Sequence, residues 1–142
     1  MNQVRPHTRP HTRPHTLEAW QAARLLARRE LTAEALLQDC LEHIAEREPQ
    51  VQAFAHLAPA VALATARALD ASPWRGPLHG LPLGLKDLFD TADQPTAYGS
   101  PIYAGHQPAA DAAAVALCRA AGAVLPGKTW LCSAPCRAAT AN

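Results

Sequence analysis

The chain has 142 residues, with 13 basic Lys and Arg side chains against 12 acidic ones and a formal net charge of +1. This balance argues against a nucleic-acid-binding protein that works through a large basic surface. No apolar run approaches the roughly 18 residues of a membrane span, and the N-terminus lacks the apolar run of a secretory signal, so we predict a cytoplasmic protein. Alanine supplies 32 residues and Val plus Ile only seven, which favours helices over strands.

Residues 5–16 are a triple repeat of Arg-Pro-His-Thr without a large apolar side chain. We expect residues 1–16 to form a disordered, solvated tail, because this segment has nothing to bury. Its histidines recur every four residues, which on a helix is typical of a metal-binding face. The prolines exclude that helix, so we predict no metal site here.

A helical pattern begins at Leu17. Thr16 is the expected N-cap of a first helix that ends near Arg29, with Trp20 and Leu25 among its buried side chains. A second helix follows after a short connection, and the two form a helical hairpin.

The second helix is expected to begin at the N-cap Thr32, with Glu34 near its positive end, and to stop at Pro49. Its apolar side chains recur at helical spacing and form one stripe: Leu36, Leu37, Cys40, Leu41 and Ile44. The stripe can pack in a core. Alternatively it can dock a partner, which would make the chain a non-catalytic interaction module.

The rest of the chain predicts short strands that alternate with helices. Residues 51–57 are a candidate strand, and residues 59–70 a helix opened by proline. Large and small side chains alternate over residues 81–85, which predicts a strand that ends in a polar site. A helix over residues 111–121, with its first aspartate as N-cap, and a strand over residues 123–125 follow. This order is typical of an α/β sheet.

Residues 122–129 match the phosphate-loop pattern G-x-x-x-x-G-K-[ST] letter for letter. That loop needs a strand before its first glycine and a helix at its Lys-Thr pair, whereas here a helix precedes and the middle residues favour a strand. Pro126 also removes a backbone donor. A P-loop-like nucleotide binder is therefore an alternative function. The competing interpretation is that Gly127 and Lys128 end a buried strand in a packed turn.

Residues 76–87, Gly-Pro-Leu-His-Gly-Leu-Pro-Leu-Gly-Leu-Lys-Asp, contain one of only two lysines in the chain. Leu85, Leu88 and Phe89 flank Lys86, and we expect them to desolvate its amine in part. Desolvation disfavours the ammonium form, so Lys86 is a candidate general base. The alternative is an exposed lysine balanced by nearby aspartates.

Several segments together resemble the amidase signature family. Residues 76–87 are similar to one of its motifs, as are residues 94–100 (Gln-Pro-Thr-Ala-Tyr-Gly-Ser) and residues 111–129, which end in Gly-Lys-Thr. The helix from Thr32 and residues 51–54 resemble its N-terminal region. The resemblance implies an α/β fold with a mixed central sheet covered by helices. This chain would hold the helix-rich N-terminal portion.

The resemblance also implies a hydrolase that acts on carbon–nitrogen bonds of small-molecule amides, without a metal or an organic cofactor. Its triad is a nucleophilic serine, a second serine with a cis peptide bond, and a lysine that accepts a proton through that second serine. Lys86 matches the catalytic lysine. Lys128 matches a structural position, and Ser100 a loop serine outside the triad.

Both triad serines of the family lie beyond the Gly-Lys-Thr turn, in a Gly/Ser-rich segment that also stabilises the oxyanion. After Lys128 the chain has no glycine and only Ser133, and residues 130–142 depart from the family pattern. We therefore expect residues 17–142 to be a truncated N-terminal part of an amidase domain, inactive alone and prone to aggregation. We interpret Cys132 and Cys136 as incidental, not as half a metal site.

Overall fold

The computed structural model describes residues 13–130. Within them, helices and a small mixed sheet confirm the predicted α/β class. The helices are α1 (Ala19–Ala27), α2 (Ala33–Val51), α3 (Pro59–Asp70) and α4 (Ala113–Ala120). The strands are β1 (Phe54–Leu57), β2 (Leu85–Lys86) and β3 (Gly127–Thr129), and 3₁₀ helices form at Pro14–Thr16 and Pro101–Tyr103. None of the helices in this range is long and apolar enough to cross a bilayer.

Helix α1 differs from its prediction in its start and in the face that it buries. Glu18 is the N-cap, whereas the Thr16 hydroxyl donates to a carbonyl of the preceding 3₁₀ turn. The prediction that Trp20 is buried is wrong, because this side chain is 55% exposed. Ala22 and Leu26, one helical turn apart, face the core instead.

Helix α2 begins at a doubly capped end. The Thr32 hydroxyl accepts from the Ala35 N–H at 3.1 Å, which confirms the predicted N-cap. The Asp70 carboxylate, at the end of α3, accepts from the N–H groups of Ala33 (2.7 Å) and Glu34 (3.1 Å). Asp70 therefore joins the start of one helix to the end of another, a contact that local patterns do not reveal.

Helix α2 continues two residues past Pro49, so the predicted stop at this proline is wrong. A proline removes one N–H donor and crowds the preceding turn, which weakens a helix without always ending it. The helix ends at Gln52, whose left-handed backbone (φ 50°) redirects the chain toward β1. There the N–H groups of Ala53 and Phe54 donate to the Glu48 carboxylate at 3.1 and 2.9 Å.

Helix α3 has the predicted bounds and packs along α2. The main core combines α1, α2 and α3 and is made of Ala22, Leu26, Ala33, Leu36, Leu37, Ala62, Ala66, Leu69 and Val124. Its alanines let the helices approach closely, and the apolar stripe of α2 serves this core through its first turns. A second, smaller cluster joins β2 to α4 and is made of Leu85, Val115, Ala123 and Leu125.

Within residues 13–130, strand β3 lies in the middle of a three-stranded sheet of order β1-β3-β2. It pairs antiparallel with β1 and parallel with β2. The strand predicted over residues 123–125 is found at residues 127–129 instead. Val124 makes only an isolated bridge to Pro82. Pro126, which lies between Val124 and β3, has no N–H to donate to a strand ladder.

Helix α4 begins after Ala112, so the prediction of Asp111 as its N-cap is wrong. The Asp111 carboxylate accepts from the Ala92 N–H at 2.8 Å and pairs with the Arg119 guanidinium at 2.9 Å. These long-range partners use the oxygens that a cap would need. Gly122 follows the helix with φ +89°, as predicted for its end.

The last unit of the Arg-Pro-His-Thr repeat packs on α2. The His15 N–H donates to the Asp39 carboxylate at 2.7 Å, and the His15 Nδ1 lies at the same distance from it. The His15 ring also stacks on the ring of His43, with centroids 4.3 Å apart. His15 is therefore partly buried because α2 supplies its partners, whereas Arg13 and Thr16 in the same unit are exposed. Residues 1–12 lie outside the described residues.

Candidate active site

Lys86 is the last residue of β2, at an edge of the described sheet, and its side chain is exposed. Side chains alternate between the two faces of a strand, and accordingly Leu85 and Asp87 on either side of it are buried. On β3, Lys128 pairs with Leu85 and Thr129 with Lys86. Lys86 and Thr129 therefore share the open face of the sheet, while Lys128 lies on the packed face.

The apolar neighbours of Lys86 do not desolvate it within the described residues. Leu88 is 40% exposed and Phe89 36%, and the lysine itself is exposed. The expected partial burial is therefore wrong. In this chain, the candidacy of Lys86 as a base depends on where it stands rather than on burial of its amine.

The chain reverses its direction immediately after Lys86. The Lys86 carbonyl accepts from the N–H groups of Leu88 (2.7 Å) and Phe89 (3.1 Å). Between them, the Asp87 N–H donates to the Thr129 carbonyl of the neighbouring strand at 2.8 Å. The peptide that follows the Lys86 side chain is therefore held both by its own turn and by β3.

The ammonium of Lys128 ties together the loop that follows β2. Lys128 has no exposed surface. Its Nζ donates to the Phe89 carbonyl (2.7 Å) and to the hydroxyls of Thr96 (2.7 Å) and Thr91 (3.3 Å). It also lies 3.8 Å from Oδ1 of Asp87. One charged group on the central strand thus fixes several separate points of the loop.

Asp87 is the charged partner of Lys128 on the packed face. It is 2% exposed, and its carboxylate accepts from the Ala97 N–H at 3.1 Å. Burial lowers the pKa of Lys128 below its ordinary value, while attraction to Asp87, and more weakly to Asp90 and Asp93, opposes this shift. A buried charge is costly without its partner, so Asp87 and Lys128 behave as one unit.

Residues 122–129 do not form a phosphate loop. Lys128 lies in a strand with its ammonium bonded inside the protein, and the Val124 N–H donates to the Leu81 carbonyl at 2.9 Å. Gly127 has a packing role, since a Cβ there would overlap the His56 carbonyl oxygen of β1. The geometry therefore gives no support to the P-loop-like alternative and agrees with a buried strand.

Of the remaining candidates from the sequence, only Ser100 lies within the described residues. Ser100 caps the 3₁₀ helix Pro101–Tyr103, where its hydroxyl accepts from the Ile102 N–H at 3.3 Å. Ser133, Cys132 and Cys136 lie outside the described residues. Within residues 13–130, no group of three or more His, Cys, Asp and Glu side chains is arranged to hold a metal ion.

Sequence reasoning missed the partners of Lys128. A lysine next to the apolar run 123–125 is a signal for a buried cation, and a buried cation requires an acceptor. The chain offers 12 acidic residues, and only the fold selects Asp87 among them. Thr91 and Thr96 carried no local signal at all.

Fold and site together define an α/β protein that presents an exposed lysine at a sheet edge, with a buried ion pair on the opposite face. Residues 35–142 match the model of the family described as Amidase. The Mycobacterium tuberculosis protein named amidase AmiD is 44% identical over 116 residues, which cover 79% of this chain and 24% of that protein.

Two further similarities agree with this match. A glutamyl-tRNA(Gln) amidotransferase subunit from Chloroflexus aggregans is 48% identical over 107 residues, 72% of this chain and 22% of that protein. The crystal structure of the Stenotrophomonas maltophilia peptide amidase aligns with a TM-score of 0.76 at 35% identity, over 82% of this chain and 25% of that one. The chain belongs to the amidase family, and it spans about a quarter of the length of these relatives.

Proposed function

We propose that the chain forms the N-terminal part of an amidase that hydrolyses carbon–nitrogen bonds of small-molecule amides, with Lys86 as the base of a Ser–Ser–Lys triad. The position of Lys86 carries this proposal. Its side chain is exposed at a sheet edge, while its carbonyl is held by the N–H groups of the following turn and the next N–H, of Asp87, donates to β3. A base needs both properties, because its amine must reach a partner from a fixed origin.

In this proposal, the neutral amine of Lys86 accepts the proton of a second serine, which takes the proton of the nucleophilic serine. The nucleophilic oxygen then attacks the amide carbonyl, and the C–N bond breaks as a proton returns to the leaving amine. Water hydrolyses the acyl-enzyme and regenerates the serine. Lys86 contributes the proton acceptor, whereas both serines and the oxyanion-stabilising N–H groups come from a Gly/Ser-rich segment.

We also propose that the 142-residue chain by itself does not turn over amides. Beyond Lys128 it holds one serine, Ser133, and no glycine, so neither a pair of serines nor a Gly/Ser-rich loop is present there. An amine without a nucleophile to activate gives no acyl transfer. Purified chain is expected to release no ammonia from aliphatic or aromatic amides above the rate in buffer.

A chimera tests the assignment of Lys86. Residues 13–130 replace the matching segment of the Stenotrophomonas maltophilia peptide amidase, and ammonia release from a peptide amide is measured. We expect turnover, and we expect Lys86→Met to lower kcat at least about a thousand-fold, as loss of a triad member does.

The control is Arg47→Met, which removes an exposed cation from α2 and is expected to leave kcat within about twofold. An active chimera whose kcat survives Lys86→Met would refute the proposal. So would turnover by the 142-residue chain that persists in its own Lys86→Met variant.

A further inference from the structure

We infer that Asp87 and Lys128 are positioning residues for Lys86, a role that rests on the function proposed above. Neither side chain reaches the open face of the sheet where Lys86 stands. They act from the packed face, by fixing the backbone from which the Lys86 side chain leaves. The pair thus positions the base and takes no part in the reaction itself.

The hydrogen bonds form a continuous path from the pair to Lys86. Asp87 is the next residue after the base, and its N–H and carboxylate are both engaged, the first by the Thr129 carbonyl and the second by the Ala97 N–H. Lys128 holds the Phe89 carbonyl, while the N–H of the same residue donates to the Lys86 carbonyl. Both ends of the turn that starts at Lys86 are therefore anchored.

The chemistry of the pair favours positioning over bulk stability. Replacing a buried ion pair by apolar side chains of similar volume is often neutral or stabilising, so ionic groups here are not needed to fill the core. An apolar side chain at 128 would fill the same space but fix no acceptor. An ammonium instead requires its acceptors at defined distances, and three of them belong to one loop: the Phe89 carbonyl and the hydroxyls of Thr91 and Thr96.

The strand register restrains the Asp87–Lys128 pair. Lys128 stands beside Leu85 on the central strand, and Leu85 is buried in the cluster that joins β2 to α4. A shift of the loop would therefore have to break its hydrogen bonds to an ammonium with no exposed surface, or move that ammonium against packed side chains. The same contacts restrain the backbone of Lys86, while its own side chain stays free to move.

The experiment removes both charges together, so that no unpaired charge is left to unfold the protein. In the 142-residue chain with Asp87→Asn and Lys128→Met, backbone ¹⁵N order parameters are measured at Lys86 and Phe89. We expect them to fall from about 0.85 to below about 0.6, the range of flexible backbone, while Ala66 in the α3 core is unchanged. The matched control is Glu34→Gln with Arg67→Met, an exposed ion pair at 2.7 Å whose loss is expected to leave all three values in place.

The same double substitution in the peptide-amidase chimera gives a second measurement. We expect kcat to fall at least tenfold with KM within twofold, because a displaced base slows proton transfer without changing substrate contacts. Unchanged order parameters at Lys86 and Phe89 would overturn the inference, as would a uniform loss across the chain or local loosening with an unaltered kcat. A parent chimera that is inactive, or whose kcat does not depend on Lys86, counts against the proposed function. The order parameters alone then test the positioning role of Asp87 and Lys128.

Discussion

Replacing Lys128 by Met is expected to cost far more stability than the same replacement at Lys86, the other lysine of the chain. Lys128→Met strands a carboxylate, since Asp87 stays 2% exposed and loses the cation 3.8 Å away. It also removes the shorter of two hydrogen bonds to the Phe89 carbonyl, which keeps only the Thr96 hydroxyl at 3.4 Å. Breaking a buried pair by deleting one partner costs about 3–5 kcal/mol, whereas an exposed substitution such as Lys86→Met stays within about 0.5 kcal/mol.

Urea unfolding followed by tryptophan fluorescence measures this difference. With a slope of about 2 kcal/mol/M, a loss of about 4 kcal/mol lowers the midpoint by roughly 2 M, which for a domain of ordinary stability is a large share of the total. Lys86→Met is expected to superimpose on the parent curve. Adding Asp87→Asn to Lys128→Met is expected to recover at least about half of the loss, because the stranded charge is gone. Equal midpoints for the two single variants would refute the reasoning.

Three further outcomes follow from the same contacts. Because burial lowers the pKa of Lys128 in the fold, the unfolded chain binds more protons than the folded chain over the pH interval that ends near 10.5. The free energy of unfolding of the parent should therefore rise with pH over that interval relative to Lys128→Met, and parallel pH profiles would contradict this. Burial raises the pKa of the Cys40 thiol from 9.0 to about 11. At pH 8, iodoacetamide should therefore alkylate Cys40 in the folded chain about a hundred-fold more slowly than in the urea-unfolded chain. Peptide mapping measures both rates, and similar rates would contradict the prediction. Gly122→Ala should lower the midpoint of unfolding more than Gly105→Ala. Both glycines have positive φ, but of the two only Gly122 would place a Cβ against a neighbour, the Cα of His79 at 2.9 Å. Equal midpoints would show that backbone strain alone sets the loss of stability.

Local sequence patterns predict the elements whose causes are local. The bounds of α3 and the Thr32 cap follow from a proline and a threonine at fixed positions, and the structure confirms both. Other predictions fail because the side chain finds a partner elsewhere in the chain. Asp111 is predicted as a cap but bonds residues 92 and 119, and His15 is predicted as solvated but meets Asp39. No periodicity encodes which distant group an available side chain will find.

The candidate site divides in the same way. Lys86 is found from its motif and from the alternation along β2, and its assignment as a base stays a prediction. The pairing of Asp87 with Lys128 on the opposite face cannot be predicted from the sequence, because the parallel pairing of β2 with β3 brings together residues separated by about forty positions. Expected burial of Lys86 fails for a related reason. Its apolar neighbours in sequence, Leu88 and Phe89, lie in the turn that follows Lys86 and stay 40% and 36% exposed.

The central place of β3 sets an order of events during synthesis. Strands β1 and β2 share no ladder with each other, and each is joined only to residues 127–129 among the described strands. As the chain leaves the ribosome, the helical hairpin meets its partners early, whereas the two outer strands must wait for about forty more residues after Lys86 to emerge. Until Gly127 arrives, Lys86 lies on a strand whose partner among the described strands has not yet emerged. Any pause in translation just before that point therefore prolongs a state with two open strand edges, which chaperones are suited to shield.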